Sequence, residues 1–468
     1  MTPPAESLIG KGSVIDPPPE PPLVEPPPEP PVVEPPPQPP VVEPPPEPPV
    51  VEPPPEPPVV EPPGESPVTD VLVVDLLGGI GDLVMALPVI HGLAQRYPAA
   101  RLRVVTHEPG AALLRGDPAV AEVRTPRHGG PGAERAAVAE AVARRRPDLA
   151  VTTTRYDGIP ALLTATGARC VTDLWRNPPP DERVGERYLR ILRAEGLGVV
   201  PRAPRIRLSE RELRRGERAL PGGRRPPPVV LVVGAGMAVK RWPTRRWRDL
   251  SASLRRTGHP VLTVAPPGAG AVRGGRLGGD LRDLAAAFAA VARRGGVVVG
   301  ADTGPLRIAA AVGAATVGLF GPTDARRYGL TTPRSDVDRP ASGVDIQGMP
   351  GCPHRRPTAI TEQPCWWTAK CPVVRAAVRA ARPACMADIG VPAVLAAVRS
   401  ALRSTRRPVS RSAPRVSGPR RRFRGRSSRG SASTAPRRCS PSSSWPGRSR
   451  TPDRRSSPGC RCRGSPRS

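Results

Sequence analysis

The chain has 468 residues, 71 of them proline, a net charge of +30 and only 3% aromatic side chains. The charge is uneven: residues 1–66 carry twelve acidic groups against Lys11, residues 403–468 carry twenty arginines against Asp453, and the core between them keeps about +22. Too few aromatics accompany the basic runs to stack unpaired bases, so nucleic acid is not expected as a partner; the excess suits anionic ligands and equally a peripheral contact with an anionic membrane surface. No basic-then-apolar leader opens the sequence and no window holds the roughly 18 to 20 apolar residues of a membrane span, so a cytoplasmic protein without a disulfide framework is expected.

Residues 1–67 repeat the unit "EPPPEPPVV", with Gln38 replacing one glutamate. Proline at this density and mutual repulsion of the glutamates predict an extended, disordered tether of roughly 3 Å per residue. A first α/β series follows in residues 68–220. Val71–Leu77 reads as a buried strand, Gly78–Gly81 as a tight turn, and Asp82–Arg96 as a helix with Leu83, Ala86, Leu87, Ile90, Leu93 and Ala94 on one face. "LRVVTHE" (strand), "GAALLRG" (short helix), "ERAAVAEAVARRRP" (helix), "LAVTTT" (strand), "IPALLTATGA" (helix) and "ERYLRILRAEG" (helix) continue it.

After "LPGGRRPPP" a second series fills residues 221–403: "VVLVVGAG", "PVLTVAP", "GVVVGAD" and "ATVGLFGP" as strands, alternating with helices in "TRRWRDLSASLRRTG", "LRDLAAAFAAVARRG" and "PLRIAAAVG". Such alternation predicts two Rossmann-like, doubly wound parallel sheets whose strand ends face a cleft. Residues 331–385 read as irregular, "IGVPAVLAAVRSAL" as a last helix, and the Arg-Ser-Pro tail of 404–468 as disordered.

Three turns could carry chemistry. In "DLLGGIGDLVMALP" a glycine turn between strand and helix offers backbone N–H groups and a helix N-terminus to a polar ligand. Gly79-x-Gly81 begins a dinucleotide fingerprint, with Glu108 placed as a ribose acid, yet Val84 replaces the third glycine. Asp82 reads either as a helix-capping acid or, in a cleft, as a general base. In "GAGMAVKRWPTRRWRDL" the loop of Gly234 and Gly236 leads to Lys240 and Arg241, two cations beside the next helix N-terminus that suit a diphosphate, while Trp242 and Trp247 read as packing residues. In "ADTGPLRIAAAVG", Asp302 or Thr303 can cap the helix entered at Pro305, and Gly304 lets backbone approach a ligand. Asp302 and Asp324 both follow strand ends, where open α/β sheets bind ligands.

These turns, with "CMADIGVPAVLAAV" near the end of the core, resemble glycosyltransferase family 9, the heptosyltransferases, over roughly residues 70–402. The resemblance implies a GT-B fold, with the acceptor held by the first domain and a nucleoside-diphosphate sugar by the second. It also implies inverting transfer, typically from ADP-heptose to lipopolysaccharide, without a cofactor or an essential metal. By motif, Asp82 matches the family's catalytic base, in an acceptor turn with Gly79 and Gly81. Lys240 matches the lysine that steadies the leaving diphosphate, and Asp302, Thr303 and Gly304 match the donor loop, joined by Gly234, Gly236, Arg241, Pro305 and Arg307. The family commonly has histidine where Arg307 stands; arginine cannot exchange protons near neutral pH but can bind phosphate.

Other readings are an NAD(P) oxidoreductase resting on Gly79, Gly81 and Glu108, or a non-catalytic GT-B scaffold that binds partners through its arms. Cys352, Cys365, Cys371 and Cys385 lack the paired spacing of common zinc sites, which favours ordinary thiols; His354 is the added ligand that a metal would need.

Overall fold

The computed structural model describes residues 67–127, 130–176, 179–222, 226–265, 272–330, 343–373 and 383–406, and its elements all belong to the unit Val68–Ser468. The Pro-Glu-Val arm over 1–66 and the tail beyond Arg406 lie outside the described residues.

The first half runs β1 (Asp70–Asp75), α1 (Ile80–Arg96), β2 (Arg101–Thr106), β3 (Glu122–Arg124), α2 (Ala133–Arg144), β4 (Leu149–Thr152), α3 (Ile159–Thr164), β5 (Arg169–Val171), α4 (Val184–Ala194) and α5 (Glu210–Arg218). The second runs β6 (Val229–Val232), α6 (Thr244–Arg256), β7 (Val261–Val264), β8 (Gly275–Arg276), α7 (Leu281–Arg293), β9 (Val297–Ala301), α8 (Gly304–Ala311), β10 (Ala315–Phe320), α9 (Ala325–Tyr328), β11 (Gly343–Gln347), α10 (Ala384–Asp388) and α11 (Val391–Arg406). The strands form two wholly parallel sheets, in the orders β3-β2-β1-β4-β5 and β11-β10-β9-β6-β7-β8. Both start at a central strand, wind outward, return and wind the other way, as the α/β alternation predicts. Ligands in such sheets bind where the order reverses, between β1 and β4 and between β6 and β9.

The central strands are apolar on both faces because helices cover both. Val71 to Val74 and Val297 to Val299 are at most 1% exposed. Helix α1 is buried along nearly its whole length from Leu83 to Leu93 and packs against α4 and α8, which brings the first half's main helix onto the second half. Helix α5 precedes the "LPGG" break yet packs on α7, held by the Ser209–Glu212 capping box and by Arg282, which reaches Glu212, Arg207 O and Leu113 O. Among the described residues no helix is long and apolar enough to cross a membrane.

The start of β1 rests on a buried ion pair. Arg103 Nη2 lies 2.5 Å from Asp70 Oδ1, and the guanidinium also donates to the carbonyls of Ala141 and Arg145. Arg145 meets the other Asp70 oxygen at 2.9 Å. Removing the carboxylate strands a buried cation, so Asp70→Ala is expected to cost about 3 kcal/mol of unfolding free energy, measured by urea titration; an unchanged midpoint would contradict this role.

Candidate active site

Strands β6 and β9 are neighbours at the reversal point of the second sheet, and the loops at their carboxyl ends deliver Lys240 and Asp302 to one place. Lys240 Nζ donates to Asp302 Oδ2 at 3.0 Å, and Arg307 Nη2 donates to Asp302 Oδ1 at 2.6 Å and to Tyr328 O at 2.8 Å. Burial by itself would raise the Asp302 carboxyl, but the two cations outweigh it and hold the group well below the usual carboxylate range. A buried carboxylate clamped in this way stays ionised at neutral pH.

Asp302 leads directly into α8, whose N-cap is Thr303 and which starts at Gly304 with Pro305 in its first turn. The sequence suggested that Asp302 or Thr303 caps this helix. Neither side chain does: Asp302 is taken by the two cations, and Thr303 Oγ1 is buried without a hydrogen-bond partner. The first turn of α8 therefore keeps its donors and its positive end free of an internal side-chain cap.

Across from it stands the first turn of α1, capped by Gly79 and carrying Asp82. The Asp82 N–H donates to Gly79 O at 3.1 Å, and its carboxylate folds back over Gly79, where a Cβ would collide with Oδ2. Helices α1 and α8 meet at these ends. A Cβ on Gly304 would lie 2.8 Å from Ile80 Cβ, and one on Gly81 would lie 3.2 Å from Arg307 Cδ. Only glycine at 304 allows the two backbones this approach. Burial raises the Asp82 carboxyl above the usual range; Arg307 and Lys240 pull it back and Asp302 pushes it up. The four charged groups thus share one electrostatic site.

The sequence-predicted residues do not all gather there. Arg241 is exposed and turns back to Ala235 O at 3.1 Å, on the loop between Gly234 and Gly236, and Lys240 serves the N-terminus of α8 rather than that of α6. Trp242 and Trp247 are buried, edge to face at 4.8 Å, as packing residues. Glu108 pairs with Arg115, and Gly81 lies against Arg307 and the start of α8, whereas Gly79 is exposed and meets only Asp82. Asp324 caps α9 and binds Arg326. Cys352, Cys365, Cys371 and Cys385 are free thiols, with burial raising Cys385 to about 12. Among the described residues, no three His, Cys, Asp or Glu side chains gather to hold a metal.

Sequence reasoning passed over Asp75, although it ends β1 much as Asp302 follows β9. It is 3% exposed and accepts a 2.5 Å bond from Thr153 Oγ1. Burial raises its carboxyl to about 7, with a further push from Asp82. The folded protein therefore retains a proton that an unfolded aspartate releases near pH 4, and stability falls as pH rises from about 4 to about 7. Asp75→Asn keeps the Thr153 bond and removes the titration. Its gain in Tm over the wild type should be larger at pH 8 than at pH 5; equal differences at both pH values would contradict the assignment.

Residues 168–343 match the family described as glycosyltransferase family 9 (heptosyltransferase). Among solved structures, the chain is similar to the glycosyl transferase family 9 protein of Veillonella parvula, at 16% identity over 73% of this chain and 99% of that one, with a TM-score of 0.56. It is also similar to the ADP-heptose lps heptosyltransferase II of E. coli, at 18% identity over 72% and 99%, with a TM-score of 0.51. No curated protein sequence matches it. The structural likeness is one of fold, and the family match covers the stretch from β5 through β10, ending at the first residue of β11.

Proposed function

We propose that the protein is an inverting glycosyltransferase that moves a sugar, heptose or a close relative, from a nucleoside diphosphate to a hydroxyl of a glycan or lipid-linked glycan. The observation that carries the proposal is the meeting of Asp82 with the Lys240–Asp302–Arg307 cluster at two abutting helix N-termini. The ADP-heptose named for the E. coli enzyme of like fold is the first donor to test.

In this reading the donor diphosphate lies against the first turn of α8. The acceptor hydroxyl attacks the anomeric carbon from the face opposite the diphosphate, and its proton passes to the Asp82 carboxylate. As the new C–O bond forms, the bond to the β-phosphate breaks and its electron pair stays with the departing nucleotide. Lys240 and the free amides of α8 oppose the charge that develops there, and the buried Thr303 hydroxyl gains a partner. Asp302 keeps Lys240 aimed at the site, while Arg307, bonded to Asp302 and Tyr328 O, holds that carboxylate and steadies the charge of Asp82. Gly234, Gly236 and Arg241 form the outer lip of the donor loop, and Pro305 stiffens its inner one. Gly79 and Gly81 leave room for the acceptor beside Asp82. A lipid-linked acceptor places the reaction at the inner face of a membrane, approached peripherally by an arginine-rich surface.

Asp82→Asn tests the base directly. With ADP-heptose and an accepted glycan, it should lower kcat by about a hundredfold or more while leaving donor affinity nearly unchanged. Wild-type turnover in this variant would remove Asp82 from the role.

A further inference from the structure

Lys240 has a second neighbour besides Asp302. Its ammonium lies 5.2 Å from the centroid of the Trp366 ring. Trp366 comes from the segment between β11 and α10, 126 positions along the chain, and is only 7% exposed. It is fixed by its surroundings. Its backbone N–H donates to Gln363 O at 2.9 Å, the next turn closes through Ala369 N–H to Cys365 O at 2.9 Å, and the indole packs with Val239 and Cys365 in a small cluster bordered by Met237, Ile360 and Ala369. Residues of the lysine loop and of the segment around Trp366 itself therefore hold the ring where the ammonium sits.

We propose that Trp366 is a positioning residue for the donor site, an aromatic rest that keeps the Lys240 ammonium at the N-terminus of α8 without neutralising it. The inference depends on the phosphate role given to Lys240 above. A carboxylate and an aromatic face hold a cation differently. Asp302 supplies a full opposite charge and competes with an arriving diphosphate for the ammonium. The ring attracts the cation through its quadrupole and leaves the positive charge available to a new anion. When a diphosphate draws Lys240 from Asp302, the ring limits how far the flexible four-carbon stem swings, so less side-chain freedom is lost at binding. Trp367, the next residue, is 71% exposed and does not share this role.

The test uses the full-length protein and ADP as probe, with affinity read by calorimetry for the wild type, Lys240→Met, Trp366→Phe, Trp366→Leu and the Lys240→Met/Trp366→Leu double variant. Trp366→Leu should weaken ADP binding about tenfold and Trp366→Phe, which keeps a ring face, less than about threefold. In the Lys240→Met background the leucine change should add less than about twofold, because the two residues act through one ammonium. A purely structural tryptophan would instead give losses that multiply in the double variant. That result overturns the inference, as do unchanged affinity in Trp366→Leu or equal losses in the leucine and phenylalanine variants. Should Trp366→Leu not fold, Trp366→Met takes its place in every comparison. Wild-type affinity in Lys240→Met would overturn the phosphate reading itself and this inference with it, whereas a loss there with none at Trp366 overturns only the inference.

Discussion

The site depends on two helices meeting end to end. Helices α1 and α8 each present their positive pole, with unsatisfied N–H donors, to the same small space, and Gly304 brings the backbones together against Ile80. Two such poles repel unless anions lie between them. Asp82 and Asp302 are those anions, and the cations Lys240 and Arg307 decide how much negative charge they carry. Asp302 is held firmly ionised. Asp82, also in contact with the burial that raises it, is kept nearer to exchanging a proton. A pair of carboxylates driven apart in this way suits a division between a structural anchor and a base.

Arg307 is where this chain departs from the histidine common at that position in the proteins it resembles. Its guanidinium is not presented to solvent as a ready phosphate ligand. It is 6% exposed, bonded to Asp302 and to the Tyr328 carbonyl, and its stem lies along Gly81 of α1. The arginine therefore links the loop that carries Asp302, α9 and the glycine turn at the start of α1. A fixed charge stands at this position, and the carboxyls that burial raises near it are Asp82 and Asp75.

Much of this was legible in the sequence because it rests on long, regular signals. The apolar runs of β1, β6, β9 and β10, the stripes of α1, α6 and α7, and the Gly-Asp and Asp-Thr-Gly turns all stand where periodicity and turn chemistry put them. Short edge strands carried too little pattern: β3 and β5 have three residues each and β8 has two. Strand β11 lay inside a stretch that read as irregular, because its residues are only half-buried at the edge of the sheet. Helix α5, "ERELRRGER", is too charged to show an apolar stripe, although Ser209 and Glu212 spell a capping box that would have announced it. Lys240 was found from its loop, but its true target was not. The ammonium turns to Asp302, 62 positions away, and to Trp366, and no local pattern encodes contacts at that separation. The approach of α8 and Arg307 to Gly81 is a tertiary fact of the same kind, which the glycine turn's own sequence does not encode.

If the proposed function holds, the space between the two helix ends receives the diphosphate of a nucleotide sugar. Phosphorus NMR of ADP-heptose titrated with the wild-type protein measures this directly, with NAD(P) titrated in parallel. Both diphosphate resonances of ADP-heptose should shift saturably, and ADP should be released once an accepted glycan is added. Unperturbed ADP-heptose resonances at saturating protein, with NAD(P) bound instead, would contradict the proposed function.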